Sequence, residues 1–270
     1  MKNLFNINGK VIVITGGTGV LGTTISLHLA KEGAKVIVLA RNSAKGEQLV
    51  SQIKAEGGEA LFLQTDVLNK EDLEKNKQII LEHYQRIDVL INAAGGNMPG
   101  ATIPPDQSIF DLNVDDMRRV IDLNLFGTIL PTLTFVTAMI AQKSGSIINF
   151  SSESSLRPLT RVVGYGVAKA AINNFTEYLS AELPLKFGEG IRVNAIAPGF
   201  FLTDQNRTLL TNPDGTLTDR GKTIIAHTPY KRFGSPEELL GTIQYLASDA
   251  SQFVTGTVLP VDGGFNAFSI

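Results

Sequence analysis

Tyr165 and Lys169 stand four residues apart in a stretch that reads as helical, so their side chains share one helix face. A free phenol has a pKa of about 10 and transfers protons poorly near neutrality. A neighbouring ammonium favours the phenolate and lowers that value. A shift of ~2–3 units needs about 3–4 kcal/mol of differential stabilisation, which an ammonium and a second cation could supply in a partly desolvated site. The pair alone is common, and its company is what makes it a candidate. Asn149-Phe150-Ser151-Ser152 closes an apolar run, and Ser152 lies 13 residues before Tyr165. Asn124 sits in Asp122-Leu123-Asn124-Leu125-Phe126-Gly127. Pro131 cannot donate to the Gly127 carbonyl, so that helix should kink nearby and free backbone groups beside Asn124 for water. Two hydroxyls and an ammonium of this kind suit proton transfer to and from a carbonyl oxygen, a form of catalysis worth roughly 10²–10⁴-fold.

The elements that must position these residues alternate along the chain. Apolar runs at 10–15, 35–40, 60–65, 88–92, 145–151, 191–197 and 258–261 read as strands, several of them continuous Val/Ile/Leu blocks. Helical patterns lie near 20–32, 43–56, 70–85, 114–141, 165–187 and 235–248. This alternation predicts an α/β fold: a single Rossmann-type domain over 1–270, with a doubly wound parallel sheet of about seven strands and helices on both faces. Two long irregular stretches, 95–113 and 198–222, follow strand carboxyl ends, where open α/β sheets bind ligands.

The first strand runs into Thr15-Gly16-Gly17-Thr18-Gly19-Val20-Leu21-Gly22 and then a helix. Glycines permit a tight turn and close approach of backbone to a pyrophosphate, and the helix start favours negative charge. The expected dinucleotide contacts here are Gly16, Thr18, Gly19, Val20 and Leu21. The second strand ends at Ala40, followed by Arg41 and Asn42. An acid at that point would grip the ribose 2′-OH of NAD. Ala40 cannot, whereas Arg41 could pair with a 2′-phosphate, so NADP(H) is favoured and NAD(H) is possible. Asp66-Val67 and Asn92-Ala93-Ala94-Gly95 close the third and fourth strands. The small residues leave room for a cofactor, and Asp66 could accept from an adenine amino group.

Composition excludes several other classes. Lys+Arg 24 against Asp+Glu 26 lacks the basic excess of a nucleic-acid binder. With no cysteine there is no disulfide, thiolate metal site or thiol nucleophile. His28, His83 and His227 are too scattered for a zinc motif, so no metal is expected. No signal-peptide pattern and no apolar stretch near the ~20 residues of a membrane span are read, so a cytoplasmic protein without a membrane partner is expected.

Taken together, Thr15–Gly22, Asp66, Asn92–Gly95, Asn124, Ser152, Tyr165, Lys169 and Ala197-Pro198-Gly199 resemble the compact type of the short-chain dehydrogenase/reductase family over essentially all 270 residues. The resemblance implies Tyr165 as acid/base, Ser152 bonding the substrate oxygen, and Lys169 on the nicotinamide ribose. It also implies Asn124 in a proton relay through water, and Pro198 and Gly199 at the cofactor. One departure is visible: Val20 stands where the usual Thr-Gly-x-x-x-Gly-x-Gly has its middle glycine. The family usually forms tetramers, so a homotetramer is expected, with Phe175, Leu179, Leu183 and the tail 265–270 suited to such packing or to internal core.

The substrate is expected to be a small molecule. Arg157 and Arg161, beside the catalytic serine, suit a carboxylate, and Asn97, Gln205, Asn206 and Arg207 in the loops could bond hydroxyls. These stretches are similar to a D-mannonate oxidoreductase (fructuronate reductase) subgroup, which implies interconversion of D-fructuronate and D-mannonate. Gluconate or deoxygluconate dehydrogenases and 3-oxoacyl-carrier reductases are the near alternatives. A nucleotide sensor on the same fold could lose its acid/base residues at no cost, and here all four are present.

Overall fold

Alternate residues of β1 (Val11–Thr15) feed two separate apolar layers: Val11 and Val13 one, Ile12 and Ile14 the other. A strand buried on both faces needs this unbroken apolar run, because successive side chains point to opposite sides. The computed structural model describes residues 3–203 and 206–269. The chain runs through α1 (Val20–Lys31), β2 (Lys35–Ala40), α2 (Ser43–Ala55), β3 (Glu59–Gln64), α3 (Lys70–Tyr84) and β4 (Val89–Asn92). It continues through α4 (Val114–Ile121), α5 (Gly127–Gln142), β5 (Gly145–Phe150), α6 (Glu153–Leu156), α7 (Val163–Phe187) and β6 (Ile191–Pro198). The last elements are α8 (Arg207–Leu210), α9 (Asp219–His227), α10 (Leu240–Ala247) and β7 (Val258–Val261).

All seven strands pair in parallel, in the order β3-β2-β1-β4-β5-β6-β7. Buried residues of α1, α2 and α10 pack one face, and those of α3, α5 and α7 the other. This is the Rossmann-like α/β architecture expected. The strand order reverses between β1 and β4, so the turns after these two strands splay apart and leave a crevice at their carboxyl ends.

Four expectations are corrected or decided. The stretch 114–141 is not one kinked helix: a π-helical turn, Asp122–Phe126, separates α4 from α5, with the Gly127 N–H reaching back to the Asp122 carbonyl. The distortion thus precedes Pro131 rather than centring on it. Nor does it leave the Asn124 carbonyl open, because the Thr128 hydroxyl donates to it at 2.9 Å. Second, 198–222 is not wholly irregular. It contains α8 and the start of α9, whose Thr218 cap accepts from Gly221 N at 3.1 Å and whose Ile224 is buried. Third, Leu179 and Leu183 of α7 are buried in the core and Phe175 packs against it, so this face is internal. Fourth, the segment Val114–Gln142 is long and apolar enough to cross a membrane by length and composition. Much of it is buried in the fold, with Phe135 and Met139 inaccessible, as befits a core helix.

Candidate active site

Two adjoining cavities occupy the crevice. The first, about 620 Å³, runs from Gly16, Thr18 and Gly19 past Leu39–Asn42 and Lys45 to Thr65, Val67 and Ala93–Gly95. The second, about 340 Å³, shares Gly16, Gly19, Ala93 and Gly95 with it and extends over Ser152, Tyr165 and Lys169 to Pro198–Phe201, Thr203 and Asn206. A dinucleotide needs this shape: a long trough on backbone and small residues, opening at one end onto reactive side chains.

The glycine-rich turn fits a dinucleotide by its backbone. Gly16 has φ +66, and a Cβ there would stand 2.8 Å from the Ala93 carbonyl and the Ala94 backbone. A Cβ on Gly22 would strike the Gly16 carbonyl. The turn is therefore pressed against the end of β4, with Ala94 N donating to the Thr15 hydroxyl at 3.2 Å. Gly19 caps α1 with no side-chain acceptor, so the first N–H groups of α1 keep their capacity for an anion. Val20 departs from the family pattern harmlessly: it is the first residue of α1, where helical backbone accepts a β-branched side chain, and it lines the second cavity.

Arg41 borders the first cavity, and so does Lys45, one turn along, which was not anticipated from sequence. No carboxylate lines that cavity among the described residues. Asn42 lines it too, but its side-chain oxygen caps α2 by accepting from Lys45 N at 3.0 Å. Asp66 lies just outside, in an adjacent depression that shares Arg41 and Thr65, where it accepts from Leu68 N at 3.0 Å. Asn92 lines neither cavity. It is buried beneath them, donating to Thr132 at 2.8 Å and Asn149 at 2.9 Å, so its side chain ties β4 to α5 and β5 instead of reaching a ligand.

The reactive residues meet where the two cavities join. Ser152 ends the segment after β5 in extended backbone (φ −167) and accepts from Ser154 N at 3.2 Å. Tyr165, in the first turn of α7, is hydrogen-bonded to Ser152. Lys169 is buried, donates to the Phe150 carbonyl at 2.6 Å, and holds its ammonium 5.4 Å from the Tyr165 ring centre. The electrostatics differ from the sequence-based expectation. Burial pushes the Tyr165 phenol up, opposed by the Ser152 hydrogen bond, and burial pushes the Lys169 ammonium down to about 7. Both shifts disfavour the phenolate–ammonium pair, so burial in the folded chain favours the protonated phenol. Asn124 is fully buried, and its amide clamps Gly96, donating to its carbonyl at 2.7 Å and accepting from its N–H at 3.2 Å. Gly95 lacks a side chain between Asn124 Oδ1 and Lys169 Nζ, and a Cβ would stand 2.6 Å from the former and 3.5 Å from the latter.

The expected substrate residues are dispersed. Asn206 lines the second cavity, but its amide staples its own loop, accepting from Thr203 N and donating to the Phe201 carbonyl, both at 2.8 Å. Asn97 is exposed and donates to Thr102 at 2.9 Å. Arg157 donates to the Phe268 carbonyl at 2.7 Å and does not line the cavity. Arg207 is exposed at the start of α8, and Gln205 lies outside the described residues. Phe150, Ser151, Phe200, Phe201 and Thr203 also line the second cavity. Sequence reasoning missed them because a loop wall built by tertiary contact has no spacing signature. Among the described residues no group of His, Asp and Glu could hold a metal.

Comparison with known proteins agrees with this geometry. Residues 10–214 match the short chain dehydrogenase family. The oxidoreductase UxuB of Bacillus subtilis, whose activity is uncharacterised, is 46% identical, with 98% of this chain and 97% of that one covered. A Haemophilus influenza structure provisionally described as a D-mannonate oxidoreductase, with NAD bound, superposes at TM-score 0.91 with 39% identity, covering 99% of each chain. A Burkholderia cenocepacia gluconate 5-dehydrogenase, in complex with NADP and tartrate, superposes at 0.87 with 29% identity over 98% of each chain. The chain is an oxidoreductase and belongs to the short-chain dehydrogenase family.

Proposed function

We propose that this oxidoreductase interconverts a carbonyl and a secondary alcohol on a sugar acid, D-fructuronate and D-mannonate being the first pair to try, and prefers NADP(H). The observation that carries the reaction type is the junction of the two cavities, where Tyr165 is bonded to Ser152 above a buried Lys169. When bound, the nicotinamide supplies or takes the hydride. The chain's own residues do the rest. Gly16, Thr18, Gly19, Leu21, Val67, Ala93, Ala94, Pro198 and Gly199 shape the trough that orients it. Ser152 and Tyr165 donate to the substrate oxygen, and Tyr165 gives its proton to the forming alkoxide. Burial keeps Tyr165 protonated, the form that reduction requires. Lys169, anchored on the Phe150 carbonyl, stands ready for the ribose hydroxyls. Asn124 serves this site through structure, its amide holding Gly96 beside the cavity.

Two features support the finer choices. Arg41 and Lys45, in a cavity that no carboxylate lines among the described residues, favour a 2′-phosphate over a bare ribose hydroxyl. On the substrate side, Arg161 follows Ser152 in the loop before α7, and burial together with the nearby Arg161 charge pushes the Arg220 guanidinium of α9 down. Two neighbouring guanidiniums suit an anionic substrate held by paired hydrogen bonds. A cytoplasmic homotetramer fits this reading, with Leu133 on α5 and Val167 and Tyr178 on α7 exposed for contact between subunits.

A panel of sugar acids and their uncharged sugar counterparts, run with NADPH and NADH, tests the reading. We expect turnover of acids only, with Tyr165→Phe lowering kcat roughly 10²–10⁴-fold while still binding NADPH. Arg220→Ala should raise KM for the acid about tenfold, the loss of one charge-assisted contact. Equal turnover of acids and uncharged sugars would sink the substrate assignment, and an active Tyr165→Phe the mechanism.

A further inference from the structure

Glu153 is the first residue of α6, directly after Ser152, and it is 1% exposed. Neither of its carboxylate oxygens accepts a hydrogen bond from any described donor. A bare buried carboxylate of that kind is costly, so its surroundings must keep it neutral. The group it meets is another acid, Asp262, on the turn after β7. Asp262 is well supplied: its two oxygens accept from Gly264 N at 2.8 Å and Asn266 N at 2.6 Å. Two carboxyl groups in contact share one proton, and here the oxygens without a donor are those of Glu153. Of the two, Glu153 is the group that lacks a donor, and Asp262 is the acceptor beside it.

This contact joins the catalytic segment to the C-terminal tail. Arg157, one turn beyond Glu153, donates to the Phe268 carbonyl at 2.7 Å, so the same short segment holds the tail at a second point. The tail in turn backs the cavity wall. A Cβ on Gly199 would stand 2.7 Å from Asp262, and the Phe265 ring packs edge-on against Phe200 at 5.1 Å. Gly199 and Phe200 both line the catalytic cavity.

We propose that Glu153 is a positioning residue: as the neutral acid it donates to Asp262, clamping the C-terminal tail and the Phe200 wall to the segment that carries Ser152.

The clamp is sensitive to mild alkali. Burial and the adjoining Asp262 raise Glu153 to about 8, with Arg157 opposing. From α7, packed on the same segment, come Tyr165, which bonds Ser152, and Lys169, which bonds the Phe150 carbonyl. The folded pKa lies above the ordinary value of 4.5, so the folded chain holds the extra proton between these two values. The energetic penalty of ionising Glu153 grows as pH rises from 4.5 and is complete once the pH has passed about 8. A buried carboxylate then meets the half-buried Asp262 and the tail loosens.

Hydrogen exchange of the tail amides, with KM for the carbonyl substrate beside it, tests this from about pH 6.5 to about 9.5. After correction for intrinsic exchange, wild-type protection at Gly264 and Asn266 should fall about tenfold across the range, while Glu153→Gln, whose amide donates at every pH, should stay level. KM should climb with pH in the wild type and not in Glu153→Gln; a change in kcat from Tyr165 would be common to both. Glu153→Met, neutral but without a donor, should show weak protection with no pH step. Level wild-type protection, or the same fall in Glu153→Gln or Glu153→Met, overturns the proposal. The exchange measurement needs no turnover, so its failure is distinct from failure of the substrate assignment.

Discussion

The two ends of the crevice are built on different principles. At the cofactor end the contacts come from strand ends and tight turns, where Gly16 is pressed on Ala93 and Ala94, with Arg41 and Lys45 at the far rim. At the substrate end the wall is loop and short helix, and its polar side chains are engaged with one another. Asn206 bonds Thr203 and Phe201, Asn212 bonds Thr216, and Thr218 donates to the Leu209 carbonyl. A cofactor shared by many enzymes suits a rigid cradle set by the sheet. Substrate choice is left to segments that can vary without disturbing that cradle. The catalytic trio stands between, with Ser152 and the Phe150 carbonyl on the β5 side and Tyr165 and Lys169 on α7.

Lys169→Met cuts through the middle of this division and should have the largest effect, a loss in kcat of roughly 10²–10⁴-fold. It should also raise the melting temperature. The buried ammonium is pushed down to about 7 from 10.5, so between those values the unfolded chain binds more protons than the folded one. Wild-type stability should accordingly gain from this lysine as pH rises through that window, and the variant should lack that gain. A variant less stable than wild type throughout would mean that the bond to Phe150 outweighs desolvation.

The double change Arg41→Ala/Lys45→Ala probes the cofactor end alone. Loss of two charge-assisted contacts, about 1.5–3 kcal/mol each, should raise KM for NADPH by about a hundredfold or more and leave KM for NADH within about twofold. Equal losses with both cofactors would show that these cations serve the trough in general and do not read the 2′-phosphate.

Asn206→Ala should have the smallest effect and stay on the substrate side. Losing its staple should lower stability by about 1 kcal/mol and raise substrate KM a few-fold, with cofactor KM unchanged. A comparable rise in cofactor KM would blur the boundary between the two ends.

Legibility in sequence follows the same division. The strands of the sheet were readable within a residue or so, because burial on both faces demands continuous apolar runs, as in Val11–Thr15 and Lys35–Ala40. The glycine turn and the Tyr165/Lys169 spacing were readable because local backbone geometry dictates residue type. The residues read as substrate contacts fared differently. Asn97 and Arg157 are turned to Thr102 and the Phe268 carbonyl, and Asn206 staples its own loop. An amide or guanidinium in a loop carries the same letter whether it meets a ligand or its own backbone. Asn92 illustrates the same point: it sits at a strand end, but its side chain points beneath the crevice into the α5 and β5 packing.

The order of apolar runs, glycines and acid/base residues by itself determined a parallel Rossmann sheet, a dinucleotide turn and a tyrosine-centred site, since each depends on periodicity or on contacts a few residues apart. Only the tertiary structure decided the state of those groups. Burial pushes the Lys169 ammonium down and holds the Tyr165 phenol protonated, and the fold brings Glu153 near Asp262, 109 positions later in the chain. Desolvation and long-range charge depend on what the fold packs around a residue, and no spacing along the chain encodes that.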